Sequence, residues 1–139
     1  MSQWPPLLIA VAPNGARLTK ADHAGIPLTV AELARTAVEC RDAGAGMIHL
    51  HIRDADGRHL LDADGYRDAT ATVRREVGPD MTIQITSEAA GRYQPPEQRA
   101  VITATRPAAA SMAIREIFAT EAEEAEGAKL MGFCRREKI

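Results

Sequence analysis

A chain of 139 residues with 17 Lys and Arg against 19 Asp and Glu has a formal net charge of −2, so no strong field draws it to nucleic acid or to an anionic membrane surface. Hydrophobic residues make up 45% and aromatic ones 4%, a globular composition that can bury one core without disulfides or structural metal. The opening MSQWPPLLIAVA lacks a basic start and its apolar run is too short to span a bilayer, so a cytoplasmic protein with no membrane partner is the expectation.

In chain order, residues 7–12 (LLIAVA) read as an apolar strand closed by the turn signal Pro13-Asn14-Gly15. A polar loop follows, and Thr29 with Glu32 forms a capping box before a helix whose Leu33, Ala37 and Cys40 recur at helical spacing. Gly44 or Gly46 closes that helix, and residues 47–52 (MIHLHI) form the second strand. Residues 53–65 read as loop, and residues 66–77 as a helix stopped by Gly78-Pro79. A third strand covers residues 81–86, a short helix residues 97–105, and a fourth strand residues 108–114. The last helix, residues 120–138, is acidic at its start and basic at its end, as the helix dipole favours. Cys40 and Cys134 each fall on a helix, far apart, and read as buried reduced thiols.

The alternation β-α-β-α-β-α-β-α predicts a parallel sheet with right-handed crossovers. Four β/α units are half of a TIM-type (β/α) barrel, which usually takes about 250 residues. The expected fold class is therefore α/β, with residues 1–139 a single domain. It is either an open four-stranded protein or the N-terminal half of a (β/α)8 barrel, a fifth strand being due after Ile139.

His49 and His51 stand two apart, so a strand projects both to one face, with Ile48, Leu50 and Ile52 on the other. Paired imidazoles at the C-terminal end of a parallel strand suit a divalent cation such as Zn²⁺; two hydrogen-bonded histidines are the alternative. Arg53 and Asp54 stand at the mouth of the same site, whereas His59 reads as a surface-loop histidine. The long first loop offers Asn14, Arg17, Lys20, Asp22 and His23 as substrate contacts. The third strand ends in Thr86, Ser87, Glu88 and Arg92, and the fourth in Ser111, Arg115 and Glu116. Thr86 and Ser87, with Arg53, are the expected catalytic residues, and Ser111 and Glu116 join Asn14 and Arg17 as expected substrate contacts. Hydroxyls and arginines converging on a metal suit a carbonyl substrate that carries a carboxylate. A nucleophile elbow and a phosphate loop are both absent from the sequence.

Five stretches, APNGAR.TKADH, IPLTVAELA, CRDAGAGMIHLHIRDADGRH, IQITSEAAGRYQPPEQRA and SMAIREI, together resemble the β-keto acid cleavage enzymes. The resemblance implies a zinc-dependent (β/α)8 barrel, usually a homo-oligomer, that converts a β-keto acid and acetyl-CoA into acetoacetate and a new acyl-CoA. It implies that His49 and His51 are two zinc ligands, and that the third, a glutamate, comes from a late strand outside these residues. By the same resemblance Thr86, Ser87 and Ser111 hydrogen-bond substrate oxygens, and Arg17 stands where the best understood branch carries an acidic residue. Two competing expectations are a non-catalytic half-barrel used for assembly and a fragment of a metal-dependent aldolase-type lyase. Self-association that completes the barrel, or a longer parent chain, is the corollary.

Overall fold

The computed structural model describes residues 7–139; the first half of the MSQWPP-LLIAVA opening, read above as no leader, lies outside the described residues. Four strands, β1 (Ala10–Val11), β2 (Met47–His49), β5 (Thr82–Thr86) and β6 (Ala109–Ser111), form one sheet in the order β1-β2-β5-β6. Every neighbouring pair is parallel, with Ile48 opposite Ile83, His49 opposite Gln84, and Thr86 opposite Ser111. Between β2 and β5 a separate antiparallel ribbon joins β3 (Ile52–Arg53) to β4 (His59–Leu60).

The helices are α1 (Val30–Asp42), α2 (Ala63–Val77), α3 (Pro95–Thr105), the short α4 (Ile114–Ile117) and α5 (Glu121–Glu137). Each long helix packs on the next, α1 on α2, α2 on α3 and α3 on α5, because sequential parallel strands with one-handed crossovers place every helix on one face. Ile48, Leu50, Ile83 and Ile85 bury that face of the sheet together with Leu33, Val73 and Ile102 from the helices. The other face carries Met47, His49, Gln84 and Ser111, all only partly buried. The mixed α/β class and the parallel sheet match the sequence reading.

Local chemistry explains the element ends. At α1 the Thr29 hydroxyl accepts from the Glu32 N–H at 3.2 Å, while the Glu32 carboxylate accepts from the Thr29 and Leu28 N–H groups at 3.0 and 2.9 Å. Lys20 also binds Glu32. That ammonium, followed by the two backbone N–H groups, holds the Glu32 carboxyl down at about 2. A depressed folded value stabilises the native state above the unfolded value and loses that contribution as pH falls toward about 2. The stability gap between the wild type and Glu32→Gln is accordingly expected to shrink when denaturation is measured at about pH 2.5 instead of about pH 6. A gap independent of pH contradicts the capping role. The helix ends at Asp42, and Gly44, at φ +101°, supplies the left-handed turn out of it.

Several boundaries differ from the sequence reading, each for a physical reason. The expected strand 47–52 leaves the sheet after His49, although Leu50 N–H still donates to Gln84 O at 3.0 Å. Residues 53–65, read as loop, contain the ribbon: the Asp54 carboxylate accepts from Asp56 and Arg58 N–H at 3.1 and 2.8 Å, and Gly57 takes φ +75°. Asp62 caps α2 through Gly65 N–H at 2.7 Å, starting that helix three residues before Tyr66. Pro95 and Pro96 open α3 instead of preceding it, their fixed φ suiting a first turn. The expected strand 108–114 stops at Ser111, and Ile114 begins α4. The expected strand 7–12 shortens to Ala10–Val11; residues 7–9 precede it as exposed chain, with Leu7 86% accessible. Cys134 is buried as expected, whereas Cys40 is half-buried.

Candidate functional site

The partly buried face of the sheet ends, at the C-terminal end of β2, in three imidazoles. His49 and His51 share a face as their spacing predicts, and their Nε2 atoms approach to 2.9 Å. Their rings meet edge to face with centroids 4.9 Å apart. The outer nitrogens decide what faces inward. His49 Nδ1 lies 2.8 Å from Gln84 Oε1, an acceptor, so Nδ1 carries the proton and Nε2 keeps its lone pair.

His59 corrects the sequence reading. It is 2% exposed, not a surface residue, because the 54–57 turn folds β4 back beside His51. Its Nε2–H donates to the Glu88 carbonyl at 3.0 Å, which leaves Nδ1 as an acceptor 3.4 Å from His51 Nδ1. His51 then has an acceptor on either side, His59 Nδ1 at 3.4 Å and His49 Nε2 at 2.9 Å. Burial, followed by His49, His59 and Arg53, pushes His51 down to about 3, and burial lowers His59 as well. His51 is thus a neutral imidazole at neutral pH, and its Nε2 and that of His49 face one space. That donor set fits a divalent cation. Among the described residues no third His, Cys, Asp or Glu completes a set of three around the pair. The nearest carboxylate is Glu88, whose Oε2 lies 3.9 Å from His51 Nε2.

The backbone beneath the pair is clamped. Asn14, 3% exposed, donates to the carbonyls of His51 at 2.7 Å and Pro27 at 3.1 Å and accepts from His51 N–H at 3.3 Å. The sequence reading made Asn14 a substrate contact; its amide instead holds the His51 backbone against the first loop. Arg53, read as catalytic, is likewise turned to structure: it donates to Gly57 O at 2.6 Å and to Asn14, Gly15 and Leu18 carbonyls at 3.1, 2.7 and 3.0 Å. Four carbonyls on one guanidinium pin the first loop to the turn after β3.

The third-strand hydroxyls separate. Thr86 follows Gln84 on the His49 face by the strand period of two, and its Oγ1 accepts from Glu88 N–H at 3.0 Å. Ser87, read as a second catalytic hydroxyl, is fully buried, and its Oγ donates to Ser111 O at 3.4 Å. It belongs to the packing between β5 and α3, where Gln98 donates to Ser87 O at 2.6 Å. Glu116, read as a substrate contact, accepts from Ala89 N–H at 3.0 Å and Gln98 Nε2 at 2.9 Å and so fixes the loop after β5. Ser111 stands opposite Thr86 at the end of β6.

Arg17 reaches over the site and lies 3.7 Å from Glu88, with its side chain 78% exposed. Asn14, Gly15, Arg17, Leu18, Ile26 and Glu88 line a cavity of about 450 Å³ that no imidazole lines and that meets the site through Glu88, 3.9 Å from His51 Nε2. A larger one, about 600 Å³, opens on the other side of Arg53 between α1 and the ribbon and touches neither His49 nor His51. Lys20, Asp22 and His23 do not join the site: Lys20 pairs with Glu32, Asp22 accepts from Thr19 N–H at 2.7 Å, and His23 accepts from Gly25 N–H at 3.1 Å. Arg92 binds Asp54 at 3.0 Å and the His59 carbonyl at 2.7 Å, bracing the ribbon, while Arg115 is exposed. Gln84 and His59 were not singled out from the sequence. The period-two step from Thr86 and the Asp54–Gly57 turn are the signals that carry them.

Among the described residues no helix is long and apolar enough to cross a membrane. The chain is 40% identical over 78 residues to a 3-keto-5-aminohexanoate cleavage enzyme of Fusobacterium nucleatum, covering 56% of this chain and 28% of that protein. It is 37% identical over 78 residues to the enzyme of the same description from Acetoanaerobium sticklandii, with the same coverage. Over 108 residues, 78% of this chain and 37% of the relative, it is 29% identical to a 3-oxoadipate:acetyl-CoA acetyltransferase of Cupriavidus necator. The matches therefore span between 28% and 37% of the length of these relatives. The profile described as BKACE, beta-keto acid cleavage enzyme, matches residues 6–136, nearly the whole sequence, and the chain belongs to that family.

Proposed function

We propose that this chain supplies the metal-binding half of a zinc-dependent β-keto acid cleavage enzyme, which turns a β-keto acid and acetyl-CoA into acetoacetate and a new acyl-CoA. The observation that carries this reading is the pair of Nε2 atoms of His49 and His51, 2.9 Å apart at the C-terminal end of β2. His49 and His51 would hold the ion, which when bound supplies Lewis-acid stabilisation of negative charge developing on the keto and carboxylate oxygens.

This chain's own residues do the rest of what it contributes. Among the described residues the buried Thr86 hydroxyl accepts from Glu88 N–H and meets no acceptor for its own proton, which would serve a substrate oxygen. Ser111, its cross-strand neighbour, presents a second hydroxyl at the same rim. Asn14 and Arg53 fix the ligand strand and the first loop, and Arg17 places a guanidinium at the cavity entrance. That guanidinium favours β-keto acids whose far end is anionic over those whose far end is cationic.

The architecture supports residues 1–139 as one domain, an arc of a (β/α)8 barrel. Strands run in sequential order without reversal and the helices share one face, which leaves the His49 face as the inner one. The remaining strands would come from further polypeptide, a second copy in a homo-oligomer included, to cover the edges β1 and β6.

The test is mass-spectrometric assay of the zinc-loaded protein with acetyl-CoA and β-keto acids bearing anionic, neutral and cationic ends. Acetoacetate and a matching acyl-CoA, formed fastest from the anionic substrates, are the expected products. No acyl-CoA from any substrate, in a zinc-carrying assembly that includes the remaining strands, overturns the reading.

A further inference from the structure

The ribbon between β2 and β5 brings one more imidazole to the site than the metal pair needs. His51 and His59 are 3% and 2% exposed, so no water replaces a partner that either loses. Two arrangements compete for the His51 proton. On Nε2 it would donate to His49 Nε2 and close the space between the rings; on Nδ1 it needs an acceptor on the opposite side. The acceptor present there is His59 Nδ1, 3.4 Å away, in an edge-to-face pair with ring centroids 5.0 Å apart. A carbonyl cannot donate, so the Glu88 oxygen at 3.0 Å fixes the His59 proton on Nε2 and keeps Nδ1 bare. Arg92 holds the His59 carbonyl at 2.7 Å, and Tyr93 closes on the ring edge to face at 6.1 Å.

We infer that His59 is a positioning residue for the metal pair: anchored on the Glu88 carbonyl, it accepts the Nδ1–H of His51 and so turns the His51 Nε2 lone pair toward His49. The inference rests on the reading of that pair as a metal centre. It also explains why a hairpin is inserted between the second strand and its helix: the Asp54–Gly57 turn sets the register that places His59 opposite Arg53, one residue from Ile52 and within reach of His51.

The test uses the ¹⁵N-labelled, metal-free protein at neutral pH and reads the ring nitrogens of His51 by long-range ¹H–¹⁵N correlation. The wild type is expected to show His51 protonated on Nδ1. His59→Leu is expected to move the His51 proton to Nε2 and to weaken zinc binding, measured by competition with a chromophoric chelator, by about 10- to 100-fold. His59→Asn, which keeps an acceptor near the Nδ1 position, is expected to restore the Nδ1–H form and most of the affinity. A melting curve separates these effects from unfolding, and the wild-type spectrum needs no variant at all. A wild-type His51 protonated on Nε2, or a folded His59→Leu whose His51 pattern is unchanged, overturns the inference. A wild type with the expected pattern that binds no zinc supports the orientation by His59 and defeats the metal reading instead.

Discussion

Replacing both His49 and His51 by Ala is expected to strip the protein of zinc, from about one ion per chain to background in elemental analysis. The expected loss of affinity exceeds the roughly 100-fold that removal of a single orienting partner can reach, because both inward-facing donors go at once. Acyl-CoA formation should fall to the uncatalysed level together with the metal. His49 is partly exposed and its loss is mild for the fold, whereas His51 leaves His59 Nδ1 without its partner. That orphaned group costs about 1–3 kcal/mol, a loss that a melting curve reports separately from the loss of the ion. A double variant that still holds one equivalent of zinc places the metal elsewhere.

The second large effect is on the fold. Ile48 is fully buried at the centre of β2, opposite Val11 on one side and Ile83 on the other, and it points away from the site into the helices. Ile48→Ala is expected to lower unfolding free energy by about 2–5 kcal/mol, the sum of lost transfer energy and the cavity left behind. The exposed Leu18→Ala, 56% accessible, should change it by less than about 0.5 kcal/mol. Urea titrations of the two variants measure the contrast. Below its melting temperature Ile48→Ala should still bind zinc, since His49 faces the other side. Equal effects of the two substitutions contradict the assigned layer order.

The parts of this fold that were legible in the sequence are those fixed by local chemistry. The Thr29–Glu32 box announces α1, and the one-residue spacing of His49 and His51 fixes which side of β2 they share. Period two also separates Thr86 from Ser87 once Gln84 is placed opposite His49: the even positions share the His49 face, and the buried Ser87 hydroxyl turns to the Ser111 carbonyl instead. What was not legible depends on contacts between distant segments. Asn14 reads as a polar loop residue until the first loop is seen crossing His51, 37 positions away. Arg53 reads as a charged rim residue until three carbonyls of that loop close on it. His59 is polar by type and buried by topology, and only the ribbon register reveals it. Tyr66 is a further case: it is fully buried, its hydroxyl finds no hydrogen-bond partner among the described residues, and burial pushes it above its ordinary range.

The measurement that bears most directly on the paired imidazoles is anomalous diffraction at the zinc edge from crystals grown with zinc. A single strong peak about 2.0–2.1 Å from both His49 Nε2 and His51 Nε2 is the predicted result. A zinc-soaked crystal with no peak between those two atoms, their rings hydrogen-bonded to each other, contradicts it.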